Sequence, residues 1–198
     1  MPLSSVDLFS YLTHLISESF SDFTMVSSDG QRIPCFKAIL AIRSEAFMNM
    51  LSSNYVEVQK GEITMEDFDG NTLACFWNYL IHTDLKYALK CQNEQAKEDQ
   101  GNEDIGRSDT IFRITELALN MLVLGDKYGI DCLKEDCLVW LKLGMRTTTV
   151  LSVIKVAHRI EAQELLQHAL DFVFENRFDQ NLQPSLLVDD DMPTEIRS

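Results

Sequence analysis

Glycine and proline are scarce in this chain: 8 and 4 among 198 residues. That scarcity excludes a linker-like or fibrous protein, and an apolar share of 45% places the chain among globular ones. Long apolar runs are missing as well. The longest are broken by polar residues, so no transmembrane helix is expected. Met1-Pro2-Leu3-Ser4-Ser5 lacks the basic start and apolar core of a signal peptide, which predicts an intracellular protein in the nucleus or cytoplasm. Net positive charge is absent: the balance is −14. Without clustered Lys and Arg there is no footprint for a phosphate backbone, and no nucleic-acid partner is expected.

The five cysteines (Cys35, Cys75, Cys91, Cys132, Cys137) contain no CxxC pair and are odd in number. Mostly set in apolar surroundings, they read as unpaired thiols packed like small hydrophobes in a reducing compartment. His14, His82, His158 and His168 are scattered at no ligand spacing, so no metal site and no cofactor is expected. A GxSxG elbow, a Gly-rich phosphate cradle, HExxH and GxGxxG are all missing. The sequence therefore reads as non-enzymatic.

What is present is patterned. Leu8, Leu12, Leu15 and Ile16 fall on one face of a helix over 5–20, capped by Ser4 or Ser5. Phe23–Val26 reads as a strand, Ser27–Gly30 as a turn and Gln31–Cys35 as its partner, Asp-Gly being a strong hairpin signal. A helix over about 36–41 follows, then one capped by Ser44 that carries Phe47, Met50 and Leu51 inward. Gly61–Met65 alternates like a strand. Leu73, Phe76, Trp77 and Leu80 mark a helix over about 71–81.

Charge is concentrated in two places. Residues 92–104 hold five acids against Lys97, and 179–198 hold five against Arg197. Residues 91–109 are polar and nearly devoid of apolar side chains, which predicts a disordered insertion. The tail 179–198 reads the same way. Between them the chain is helical and repeats itself. Leu122, Gly125, Tyr128, Ile130, Leu133, Cys137, Leu138 and Leu141 recur 32 residues later as Ile154, Ala157, Ile160, Ala162, Leu165, Ala169, Leu170 and Val173. Each copy reads as two short helices joined by a tight turn, stacked because neither buries its apolar face alone.

This order of elements, with its residues, resembles the BTB/POZ family. Ser21-Asp22-Phe23 is similar to the family's strand opening. Lys37-Ala38-Ile39-Leu40-Ala41-Ile42-Arg43-Ser44-Glu45-Ala46-Phe47 resembles its K-A-[IV]-L-A-x-R-S-x-x-F signature, and Leu124-Gly125-Asp126-Lys127-Tyr128 its [LA]-A-D-K-Y stretch. Phe36 stands where the family has histidine, and Leu80-Ile81-His82-Thr83-Asp84 where it has aromatic-Thr-Gly. The resemblance implies an α+β fold, mostly helical with a small sheet flanked by helices and followed by a helical hairpin. It implies a BTB/POZ domain over 5–141, a helical 3-box or BACK-like extension over 142–178 that is similar to speckle-type POZ proteins, and the acidic tail. The MATH domain that reads substrates in that subfamily is not expected here.

The resemblance also implies partners. The Leu8, Leu12 and Leu15 stripe would pack across a two-fold axis, with Ile39 and a buried Asp22 near the seam, in a homodimer or a heterodimer with other BTB proteins. The same stripe can instead cover the chain's own core. Tyr55-Val56-Glu57 matches the apolar–x–Glu motif by which family members engage cullin-3, and Tyr128 would lie nearby. The reading is thus a cullin-3 ubiquitin-ligase adaptor without its own substrate reader; the alternative is an oligomerisation-only protein that modulates other BTB proteins or a transcriptional complex.

Overall fold

The computed structural model describes residues 21–53, 56–99 and 107–176, with the side chains of 56–57, 93–99 and 107–108 excepted. The leading leucine stripe, Tyr55 and the acidic tail lie outside the described residues. The chain divides at Thr83/Asp84 into two compact units.

The first unit is built on three strands, β1 (Phe23–Ser27), β2 (Arg32–Cys35) and β3 (Glu62–Met65), in the order β2-β1-β3. Strand β1 alternates as its sequence demands: Phe23, Met25 and Ser27 point into the core, while Thr24 and Val26 face outward. The β1–β2 hairpin is antiparallel, in the register Phe23↔Cys35 to Val26↔Arg32. Its turn closes where Asp-Gly predicts, with Gly30 at φ 81° and its N–H donating to the Ser27 carbonyl at 3.0 Å. Asp29 ties that turn to the rest of the unit. Its carboxylate accepts from Ser27 Oγ and from the Gly70 N–H, and these donors hold its pKa below the usual carboxylate value.

Three helices fill the crossover to β3, which runs parallel to β1: α1 (Lys37–Arg43), α2 (Glu45–Leu51) and α3 (Val56–Lys60). Ser44 caps α2 as expected, accepting from the Phe47 N–H at 3.2 Å. Helix α3 was not expected; the sequence reads as a loop there. Helix α4 (Gly70–His82) runs through the core and buries Leu73, Cys75, Phe76, Trp77, Tyr79 and Leu80. Asp69 caps its start, accepting from the Thr72 N–H at 2.8 Å. At its end Thr83 adopts a left-handed φ of 52°, and Arg43 Nε donates to the Leu80 carbonyl at 2.8 Å. Phe36 packs its ring 6.3 Å from that of Trp77, whose buried indole N–H has no acceptor among the described residues.

The second unit is helical: α5 (Leu85–Asp99), α6 (Arg107–Lys127), α7 (Asp131–Leu143), α8 (Val150–Arg159) and α9 (Gln163–Glu175). Here the structure corrects the expectation of disorder over 91–109. Residues 91–99 continue α5 and 107–109 begin α6, leaving 100–106 outside the described residues. The physical reason is that Gln, Glu, Ala and Lys, which dominate 92–98, are strong helix formers.

The internal repeat is real in backbone detail. In the first hairpin the Ile130 N–H donates to the Gly125 carbonyl at 2.8 Å and the Gly129 N–H to that of Asp126 at 3.2 Å. In the second, the Ala162 N–H donates to Ala157 at 2.8 Å and the Glu161 N–H to His158 at 3.2 Å. This is the same paired helix-ending turn twice over, with Gly129 at φ 62° and Glu161 at φ 57°. Gly125 allows the close approach of α6 and α7: a Cβ there would sit 3.0 Å from the Lys134 side chain. Ala157 is fully buried in the equivalent place.

Candidate interaction surface

Helix α1 determines what the first unit shows to its surroundings. In KAILAIR, Leu40 turns inward and is buried, so residues on the opposite side must face out. Ala38 is exposed, Ile39 is half-buried and Ile42 is 82% exposed. Met48 on α2 is 46% exposed. Ile42 was not singled out from sequence, although its spacing of three from Ile39 and four from Ala38 puts it on their face. Exposure of isolated apolar residues is ordinary, but an isoleucine this open beside two apolar neighbours is not.

The helix is held rigidly at both ends. Phe36, at its N-cap, offers no capping side chain. Asp22, just ahead of β1, does the work instead, its carboxylate accepting from the Lys37 N–H at 2.8 Å. Lys37 Nζ in turn lies 5.6 Å from the centre of the Phe23 ring. Arg43 anchors the other end on α4. Asp22, expected to be buried, is exposed in the single chain because its carboxylate serves this cap at the surface. Ile39 lies on the outward half of the same helix.

The remaining candidates are spread out. Leu8, Leu12, Leu15 and Tyr55 lie outside the described residues. Val56 and Glu57 open α3, so the motif expected in a loop runs into a short helix; their side chains are outside the description. Tyr128 belongs to the second unit, half-buried just after α6, with Lys127 Nζ 6.0 Å from its ring centre.

Among the described residues no group of His, Cys, Asp and Glu could hold a metal ion, and no helix is long and apolar enough to cross a membrane. Among the described residues, which include all five cysteines, there is no disulfide; burial pushes the Cys35 thiol up to about 12, so it is protonated and inert at neutral pH.

Comparison with known proteins agrees with this architecture. The family model for the BTB/POZ domain matches residues 12–96. A BTB/POZ domain-containing protein of Arabidopsis thaliana is 26% identical over 168 residues, 83% of this chain and 58% of that protein. A second Arabidopsis BTB/POZ domain-containing protein is 29% identical over 163 residues, covering 82% of this chain and 42% of the relative. The human inhibitor of Bruton tyrosine kinase is 27% identical over 152 residues, 77% of this chain but 10% of its own. The chain thus spans little more than half of the first of these relatives and a tenth of the human one. Strand order, the capped α1–α2 pair and the family match converge, and the chain carries a BTB/POZ domain, a protein–protein interaction module.

Proposed function

We propose that this chain is a self-associating BTB adaptor that links bound partners to a cullin-3 scaffold. The observation that carries self-association is the outward face of α1, where Ile42 lies open beside Ala38 and Ile39 on a helix fixed at both ends. Burying Ile42 alone against a partner would contribute about 2 kcal/mol. A second copy is the natural occupant, because an isologous contact brings the same apolar face to meet itself. By the family resemblance, Leu8, Leu12 and Leu15 would add a further apolar stripe to that seam, with Asp22 and Ile39 near it.

The cullin reading rests on Tyr55-Val56-Glu57, eight to ten residues beyond Phe47 at the start of α3, and on the repeated hairpin α8–α9 as a 3-box-like extension. The alternative, an oligomerisation-only protein acting on other BTB proteins, needs the α1 face but not that motif.

Two differently tagged copies expressed together separate these readings. Wild type is expected to co-purify with itself and with cullin-3. Ile42→Asp should lose the second copy, and Tyr55→Ala with Glu57→Ala should lose cullin-3 while keeping the second copy. Absence of cullin-3 from wild type leaves the oligomerisation-only function, and failure of the tagged copies to co-purify removes the proposal altogether.

A further inference from the structure

The outer face of the sheet carries an arrangement that the interaction readings leave unused. The register places Arg32 opposite Val26 on one side and Thr64 opposite Val26 on the other, with Thr24 opposite Glu62 one step earlier. Arg32, Thr64 and Glu62 therefore share one face. Arg32 already reaches across β1: its Nη2 lies 2.7 Å from Glu62 Oε2 on β3. Thr64 is exposed, two residues along the same strand, so its side chain emerges about 7 Å from that of Glu62. Strand β3 lies at the edge of the sheet, already extended. Glu66 and Asp67, both exposed, follow in the turn. Among the described residues, Thr64 is the single serine or threonine with a carboxylate three positions on.

The geometry points to Thr64 as a phosphorylation site for an acid-directed Ser/Thr kinase, with Arg32 poised to take the phosphate. Such kinases select substrates by carboxylates that follow the acceptor, a charge pattern supplied here by Glu66 and Asp67. In the transfer the bond between ADP and the γ-phosphoryl of ATP breaks and a bond to Thr64 Oγ1 forms. The hydroxyl proton leaves to the kinase's base. The product places nearly two negative charges on a face that holds Glu62 and one guanidinium within reach. Phosphate is the stronger partner for that fork, so Arg32 exchanges Glu62 for the phosphothreonine. Glu62 is then left without its cation, which makes the edge of the sheet more acidic at the surface flanking α3.

The test incubates the folded full chain with ATP and casein kinase II and maps phosphate by peptide mass spectrometry. The expected result is a phosphate on Thr64, its loss in Thr64→Val, and a severalfold slower rate in Asp67→Asn. Circular dichroism of each variant checks that it is folded. In NMR spectra the Arg32 Nε–H resonance should move on phosphorylation of wild type and stay put in kinase-treated Thr64→Val. No phosphate on Thr64 of the folded chain, modification only after heat unfolding, or a rate indifferent to Asp67 would overturn the site. A stationary Arg32 resonance in the phosphorylated chain would overturn its role as phosphate partner.

Discussion

The two helical hairpins of the second unit make one turn with different chemistry. At Gly129 the left-handed backbone costs nothing sterically, and the first hairpin adds an ion pair, Lys134 to Asp126 at 2.8 Å. The second hairpin performs the same turn on Glu161, which strains the backbone by about 1–2 kcal/mol. It has no equivalent ion pair, because His158 and Leu166 occupy the corresponding positions. What the hairpins hold in common is apolar: Leu133, Cys137 and Leu141 in one, Leu165 and Ala169 with Ala157 in the other, all buried. The turn is thus imposed by packing, and the local residue only adjusts what it costs.

That view predicts a hierarchy. Truncating the shared core should have the largest effect: Leu133→Ala and Leu165→Ala should each cost about 2–5 kcal/mol, read from the midpoints of urea denaturation. A small loss at one and a large loss at the other would break the equivalence of the hairpins. Exchanging the turn residues should have smaller effects of opposite sign. Gly129→Ala should destabilise by about 1 kcal/mol, whereas Glu161→Gly should stabilise by up to a similar amount, visible as shifts in thermal midpoint. Thr83→Gly, at the left-handed end of α4, should act like Glu161→Gly. The ion pair should matter least. Asp126→Ala is expected to cost less than about 1 kcal/mol, and less again at high salt, because both groups are partly solvated.

The pH dependence follows the same division between units. Asp126 raises the Lys134 pKa in the folded chain, so that contribution is complete below the ordinary lysine value of 10.5 and fades as pH rises through the folded pKa. Asp29 in the first unit behaves oppositely. Its folded pKa lies below 3.8, so its contribution is complete above that value and is lost as pH falls through the folded pKa. Replacing it by Asn should flatten the acid limb of a denaturation-versus-pH curve and leave the alkaline limb unchanged.

Much of this architecture was legible in the residues. Asp29-Gly30 announced the hairpin, Ser44 announced α2, and the recurrence of Leu122 through Leu141 announced a second hairpin of the same make. What escaped did so for physical reasons. Residues 91–99 carry too few apolar side chains to signal a packed element, yet their helix propensity suffices to extend α5. Nothing in the composition of Val56–Lys60 distinguishes one turn of helix from a loop. The left-handed backbone at Glu161 is invisible to propensity, since packing of α8 on α9 overrides it; only the alignment with Gly129 hints at it. Ile42 was hidden inside a family-like signature. Periodicity assigns it to the face opposite Leu40, but only the folded unit shows that face to be open. The sequence could not show that Asp22 would cap α1, because it lies fifteen positions ahead of Lys37 and only the closed β1–β2 pair brings them together.

The claim on which the functional account turns is that the open face of α1 closes against a second copy. Sedimentation equilibrium of the full chain over a wide range of concentrations tests it most directly. The account predicts a species of twice the chain mass for wild type and a folded monomer for Ile42→Asp. A wild-type monomer at every concentration, or a dimer that Ile42→Asp leaves intact, would contradict it.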